Sequence, residues 1–501
     1  MGKIIETKIN RFDGGISDSV HELSANKFSI SKHFDIFTDP YRLIPHWSLE
    51  ADQTGQTAIG NFLWTTNSRL MGLGTSGGFP CVYYKTGATL ITDNWATVAN
   101  LTAAAGTVNY DCFVEHLDKI YFWDDGHLIQ GTNDASIALS ETYQTVSHTN
   151  VAQGLVHSAN GTLYLPYDNK IAQITSAASF TADAAPSISA DYIITSLAEY
   201  GTYLAIGCKS ASGLFSSKVF LWDMVATTFV DIIDWGGGDL GVLNNLDGYL
   251  FGVSVSSTST LYLTFNRRSL VIRQWGGGAK ANVLSEIFPD PFTTVGTVSL
   301  YQRVNFIYNN RLYFSANIQK TTGGESRCGL FCIGKKSPFY NYAVTLDRVA
   351  TNDNSENGIL GAIIVGDACW TVYTAVGTIN RTNDAETYSA TSIYESQKFD
   401  GRIYGYDSSY TKKLIGCSVQ TDSLPTAGQV VLKYRVDGAS AWTTIFTNTT
   451  DSSISHDAIN IESSGDNLSQ YKEIEFRIEN TGGGAITGFG FKEEIIDNKM
   501  Y

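Results

Sequence analysis

Few side chains in this sequence are spaced for chemistry. Cys328 and Cys332 stand four apart in Cys328-Gly329-Leu330-Phe331-Cys332, but no second Cys or His pair follows to finish a tetrahedral zinc site. They read as core thiols on a strand. The eight histidines (His21, His33, His46, His116, His127, His148, His157 and His456) show no metal-ligand spacing. Only His116 and His127, which flank residues 119–123, are placed to meet across a hairpin. Asp13, Asp124-Asp125, Asp367 and Asp400 could supply the paired carboxylates that glycosidic hydrolysis requires. Acidic residues in turns are ordinary, however. The phosphate-cradling Gly-rich loop, the His-Glu-x-x-His helix and the Gly-x-Ser-x-Gly elbow are all missing. The expectation is therefore no catalytic residue, no cofactor-binding residue and no metal ligand. Aromatic side chains leave a route to binding: Tyr83-Tyr84, the segment Tyr340 to Tyr342, and Trp442 suit stacking on sugar rings.

The elements that must hold these residues are strands. Among 501 residues there are 27 Tyr, 25 Phe and 47 Gly but only 4 Met, and 43% are hydrophobic. Aromatic and β-branched side chains fit a pleated surface, and glycine supplies the positive φ that tight hairpins need. One tetrapeptide occurs twice, as Trp235-Gly236-Gly237-Gly238 and as Trp275-Gly276-Gly277-Gly278, 40 residues apart. A weaker unit recurs more often: a turn, then a strand opening on an aliphatic–aromatic pair. Its clear copies are Asn160-Gly161-Thr162-Leu163-Tyr164, Tyr200-Gly201-Thr202-Tyr203-Leu204, Asp247-Gly248-Tyr249-Leu250-Phe251 and Asn309-Asn310-Arg311-Leu312-Tyr313. Looser copies centre on Leu70, Ile120 and Cys369. The seven anchors lie 41 to 62 residues apart, the size of a four-stranded propeller blade. Third strands are visible at 219–222, 261–263 and 330–332.

The ends read differently. Residues 1–50, with the alternating run 3–9, form an arm whose strand closes the ring and removes an exposed edge. Residues 51–400 form the propeller. From 401 to 501 the repeat stops, and five strand-like segments (414–420, 430–436, 442–446, 474–478, 486–491) read as a separate β-sandwich. The expected fold is all-β, a propeller of about seven blades with a C-terminal β-sandwich. The aspartate box of sialidase-like propellers is missing, and residues 436–442 echo it only once and outside the ring. Trp123-Asp124 and Trp222-Asp223 lack the Gly-His partner of the cellular Trp-Asp repeats.

The formal charge of −15 argues against holding nucleic acid by phosphate neutralisation, but it suits DNA that slides past without sticking. Seven scattered cysteines suggest buried thiols made in a reducing cytoplasm. The first twenty residues hold no signal-peptide core, and no apolar run is long enough to span a bilayer.

The opening segment is the most informative. Arg11-Phe12-Asp13-Gly14-Gly15-Ile16-Ser17-Asp18, then residues 28–37 and Tyr41-Arg42-Leu43-Ile44-Pro45, resemble the start of tail-associated structural proteins of double-stranded DNA bacteriophages. Residues 429–445 resemble accessory β-domains of phage virion proteins. As a whole the chain is similar to the propeller-type tail nozzle, or stabilisation, proteins of short-tailed phages. The resemblance implies a non-enzymatic virion tail protein, assembled in the host cytoplasm as a homo-oligomeric ring. It would retain the packaged genome, contact adaptor and fibre proteins, and frame the DNA exit channel. It carries over no functional residue. The alternative is a phage adsorption protein that recognises a host surface glycan.

Overall fold

The structure is a computed structural model that describes residues 3–17, 27–39, 41–52, 59–85, 90, 94–101, 109–134, 136–259, 266–288, 296–320, 327–349, 358–373, 379–382, 388, 391–405, 409–459 and 470–496. Among these residues the strands gather into seven antiparallel four-stranded units ordered along the chain; in the first six, neighbours in sequence pair in space, and the seventh takes its outer strand from the N-terminal arm. The first strands of blades one and two, and of blades three to seven in succession, touch one another, and that of the seventh (Ile359–Val365) packs on that of the first (Ile59–Trp64). The chain is a β-propeller with a C-terminal β-sandwich.

All seven sequence anchors fall within the first two residues of a blade's second strand, and all seven side chains are fully buried. Each such apolar side chain contributes about 1.5–3 kcal/mol by leaving water. The turns before them explain why they were visible. Asp247-Gly248 and Asn309-Asn310 have positive φ at both residues, which matches the right-handed twist of the flanking strands. The repeated Trp-Gly-Gly-Gly is different. Trp235 is the last residue but one of the fourth strand of blade four, whereas Trp275 ends the third strand of blade five. The true counterpart of Trp275 is Trp222: they pair with the anchors Leu250 and Leu204, and each indole N–H donates to a carbonyl three or four residues on. The tetrapeptide is thus not a repeat of the fold. Third strands cover 219–222 and 330–332, while 261–263 lies outside the described residues.

The arm does more than close the ring. Leu49–Ala51 is the outer strand of blade seven, beside Ile379–Thr382. Lys3–Ile9 instead pairs with Ile486–Ile496 in one sandwich sheet, its buried side chains alternating with exposed ones. Phe28–Lys32 lies between Ala343–Arg348 of blade six and Ser392–Ser396, so blade six runs on into the second sandwich sheet as nine continuous strands. Phe476 of that sheet meets Phe489 and Phe491 of the facing one at ring distances of 4.9 and 4.7 Å. One hydrophobic core extends from blades five and six into the sandwich. The sandwich therefore includes Ser392–Ser396 and two strands of the arm, not only residues after 401, because both would otherwise leave a sheet edge unpaired.

Two polar clusters fasten the arm. At the ring closure, the Asp52 carboxylate accepts from Lys85 at 2.8 Å, Trp95 Nε1 at 2.7 Å and Arg381 Nε at 3.1 Å, all inside the protein. Arg381 also reaches Glu50 at 2.7 Å. Farther back, His33 is buried with φ 59° and neither ring nitrogen bonded. Its carbonyl accepts from the backbone N–H of His46, and His46 Nε2 lies 3.0 Å from Asp347 of blade six.

Candidate functional site

Besides the clusters that fasten the arm, polar side chains from several elements meet at the propeller axis and in a groove at the rim.

At the axis, the first strand of each of blades one, two, four, five, six and seven breaks register once. A bulge turns side chains out of the ladder and re-aims them. The largest breaks, at Asn109/Phe113 in blade two and Tyr301/Asn305 in blade six, carry Asp111 and Arg303. Arg303 Nε lies 3.1 Å from Asp111 Oδ1, and its guanidinium sits 5.3 Å from the Tyr110 ring centre and donates to the Gly60 carbonyl at 3.4 Å. At Gly60 the Tyr110 ring leaves no room for a side chain, since an added Cβ would lie 2.6 Å from it. Beside the bridge is a cavity of about 320 Å³, with Thr149, Asn150, Thr195 and Lys209 in its wall.

The rim groove is larger, about 1150 Å³, and runs between the arm (Arg11 to Ser17), the outer strand of blade five (Asn282–Ile287) and the loop 335–342 of blade six. Tyr249, Phe339, Tyr340 and Tyr342 project into it. Tyr342 is fixed in place: its hydroxyl donates to Asp247 at 2.9 Å, Lys335 Nζ stands 4.4 Å from its ring centre, and Phe251 packs at 4.7 Å. Lys335 also pairs with Asp247 at 2.9 Å. That hydrogen bond holds the Asp247 carboxyl below the usual carboxylate range, against the smaller opposing effect of burial. Arg11 pairs with Asp13 at 2.6 Å, a bond that raises its pKa, and lies 5.4 Å from the Tyr340 ring centre. Phe339, at the tip of the loop, is 96% exposed.

The residues singled out in the sequence mostly stay apart. His116 and His127 sit at opposite ends of the five-residue strand Lys119–Trp123, roughly 15 Å apart along it. His116 faces the Thr175 carbonyl of blade three, and burial lowers its pKa; at the other end, Asp124 Oδ1 accepts from the His127 backbone N–H and lies 3.2 Å from its Nδ1. Burial raises the Asp124 carboxyl, with the His127 bonds opposing. Asp367 is in a turn of blade seven and Asp400 bonds Arg402 just after the sandwich strand Ser392–Ser396; neither they nor Asp124 line the groove that takes in Asp13. Asp125 is in the turn following Asp124. Cys328 and Cys332 are buried on one strand of blade six. Among the described residues no group of three or more metal-ligating side chains converges. Tyr83 is buried and donates to the Thr75 carbonyl. Trp442 carries Arg435 and Arg477 at 4.4 and 6.0 Å from its ring centre. Of the aromatic candidates, only Tyr340 and Tyr342 line the groove. Arg303, Asp111 and Phe339 gave no local signal in the sequence; the aromatic pair in Tyr340 to Tyr342 was the hint of the rim.

No family model matches the chain, and no curated protein does. Among solved structures, a YCF48 bound to D1 peptide is similar at 10% identity and TM-score 0.42, over 68% of this chain and 97% of that one. The β-propeller domain of Myceliophteria thermophila Cps50 (Swd1) is similar at 11% identity and TM-score 0.42, over 66% and 98%. A catalytically inactive virginiamycin B lyase from Staphylococcus aureus is similar at 9% identity and TM-score 0.39, over 68% and 100%. The likeness is one of fold. Among the described residues no helix is long and apolar enough to cross a membrane.

Proposed function

We propose that this chain is a non-enzymatic structural protein of a bacteriophage tail, a nozzle subunit that forms a ring with copies of itself, retains the packaged genome and frames its exit channel. The observation that carries this reading is the fusion of propeller and sandwich. Nine strands run without interruption from blade six into the sandwich, and a strand from each end of the chain pairs in the other sandwich sheet. A subunit that must resist the pressure of packaged DNA needs this stiffness; a modular receptor-binding chain does not.

Three further points support it. The Arg303–Asp111 bridge spans the propeller axis, so DNA would run between copies and not through one. The acidic balance of −15 suits passage without adhesion. Blade four presents Leu214 at 83% and Val225 at 87% exposure, with Val230 and Ile232 also exposed, and lateral packing in a ring would cover them. Adaptor and fibre proteins are the partners this role implies, and the virion tail, assembled in the host cytoplasm, is its place. Native mass spectrometry of the purified chain tests the reading. A closed oligomer of several copies is the expected species, and a stable monomer would contradict it. The second reading, an adsorption protein recognising a host surface glycan, is favoured by the aromatic rim groove alone.

A further inference from the structure

We infer that the rim groove between the arm, blade five and the 335–342 loop of blade six is a binding site for an uncharged oligosaccharide. The inference deepens the adsorption reading by giving it a site and a ligand class. It does not depend on the ring, because a subunit of either kind presents the same rim.

The size sets the first limit. At about 1150 Å³ the groove exceeds the roughly 300–1,000 Å³ that drug-sized ligands fill. That suits several linked sugar rings better than a single small molecule. The walls set the second. Sugar rings present C–H faces that pack on aromatic rings, and hydroxyl edges that want fixed planar hydrogen-bonding groups. The groove has Tyr249 exposed in one wall and Phe339 standing free at its tip. Between them, Tyr340 and Tyr342 have cations over their rings at 5.4 and 4.4 Å, which holds the aromatic surface in position before any ligand arrives.

Charge sets the third limit. Three cations line the groove, and two of them are neutralised within it or beside it: Arg11 is paired with Asp13 at 2.6 Å and Lys335 with Asp247 at 2.9 Å, while Lys27 stands in the wall of the arm. Glu286 adds a carboxylate to the groove. An anionic polysaccharide or a nucleic acid strand would displace these pairs at a cost; a hydroxyl-rich, uncharged chain bonds to both members at once. Gln274, Asn341 and Ser285 supply further neutral donors and acceptors.

The test is binding of the full chain to an array of uncharged and anionic bacterial oligosaccharides of four to eight sugars, followed by calorimetry on the strongest hit. An uncharged oligosaccharide should bind. Phe339→Ala, at a side chain too exposed to matter for folding, should weaken that binding about ten-fold, and Tyr249→Ala should do likewise. Val225→Ala on blade four should leave it unchanged. Failure of every uncharged member to bind, preference for anionic ones, or full affinity in Phe339→Ala would each overturn the inference. Because the array reads affinity and not assembly, its failure leaves the ring proposal standing, and loss of the ring leaves the groove standing.

Discussion

Arg303 of blade six and Asp111 of blade two meet across the propeller axis with Nε and Oδ1 3.1 Å apart, although 192 residues separate them in the chain. Each side chain leaves its strand at a bulge, so two breaks in the ladder are what bring the charges together. The pair retains some contact with water, with 18% and 33% of the side chains exposed, which limits its strength. In a double-mutant cycle of Arg303→Ala and Asp111→Ala, denaturation midpoints should report a coupling of about 0.5–1 kcal/mol. A coupling of zero would mean that the bridge does not hold the inner strands together.

The clasp at Asp52 is a different case, because its charges are fully buried. Asp52→Ala removes the buried carboxylate that Lys85, Trp95 and Arg381 share in the seam between blades seven and one, and leaves two buried cations with weaker compensation. The expected loss is about 3–5 kcal/mol, and it should first appear as proteolytic release of the arm, since Leu49–Ala51 is held there by only three strand residues. Equal resistance of variant and parent to protease would remove the clasp from the account.

His33 should make the chain acid-sensitive. Burial first, then the positive charge of His46, Arg348 and Lys32, pushes its pKa from 6.5 down to about 3, with Asp347 opposing. The folded state therefore refuses a proton that the unfolded chain accepts. Stability from this group is complete above pH 6.5 and is lost as the pH falls from there towards 3. Asn at this position cannot titrate, and it tolerates the left-handed φ of 59°. His33→Asn should accordingly show a shallower loss of thermal midpoint between about pH 6 and 4 than the parent. Parallel curves would assign the acid response elsewhere.

Blade four gives the assembly prediction. Val225→Glu and Ile232→Glu add charge to exposed positions, so the fold and its thermal midpoint should hold within about 0.5 kcal/mol. Burying that charge against a neighbouring copy is costly, so the oligomer should dissociate at a given concentration. Light scattering of parent and double variant measures both effects.

The propeller was legible because its turns are local. Asp247-Gly248 and Asn309-Asn310 announce their hairpins within four residues, and the buried anchor follows each at once. The Trp-Gly-Gly-Gly repeat misled for the same reason: identical residues serve one role at Trp275 and another at Trp235, and only strand pairing distinguishes them. The arm's triple use was half visible, since its alternation marks a strand but cannot name the partner, here Ile486–Ile496 at the other end of the chain. The axis and the groove were not legible. Arg303 and Asp111 are ordinary charges until bulges aim them, and the groove takes one wall from residues 11–17, another from 283–288 and a third from 335–344.

In the proposed role, several copies of this chain form a ring around an open lumen. Negative-stain electron microscopy of the purified full chain at micromolar concentration tests it most directly. Rings or short tubes with a central hole wide enough for duplex DNA, built from propellers set side by side, are the expected particles. A uniform field of single propeller-sized particles, or of compact trimers without a lumen, would contradict it.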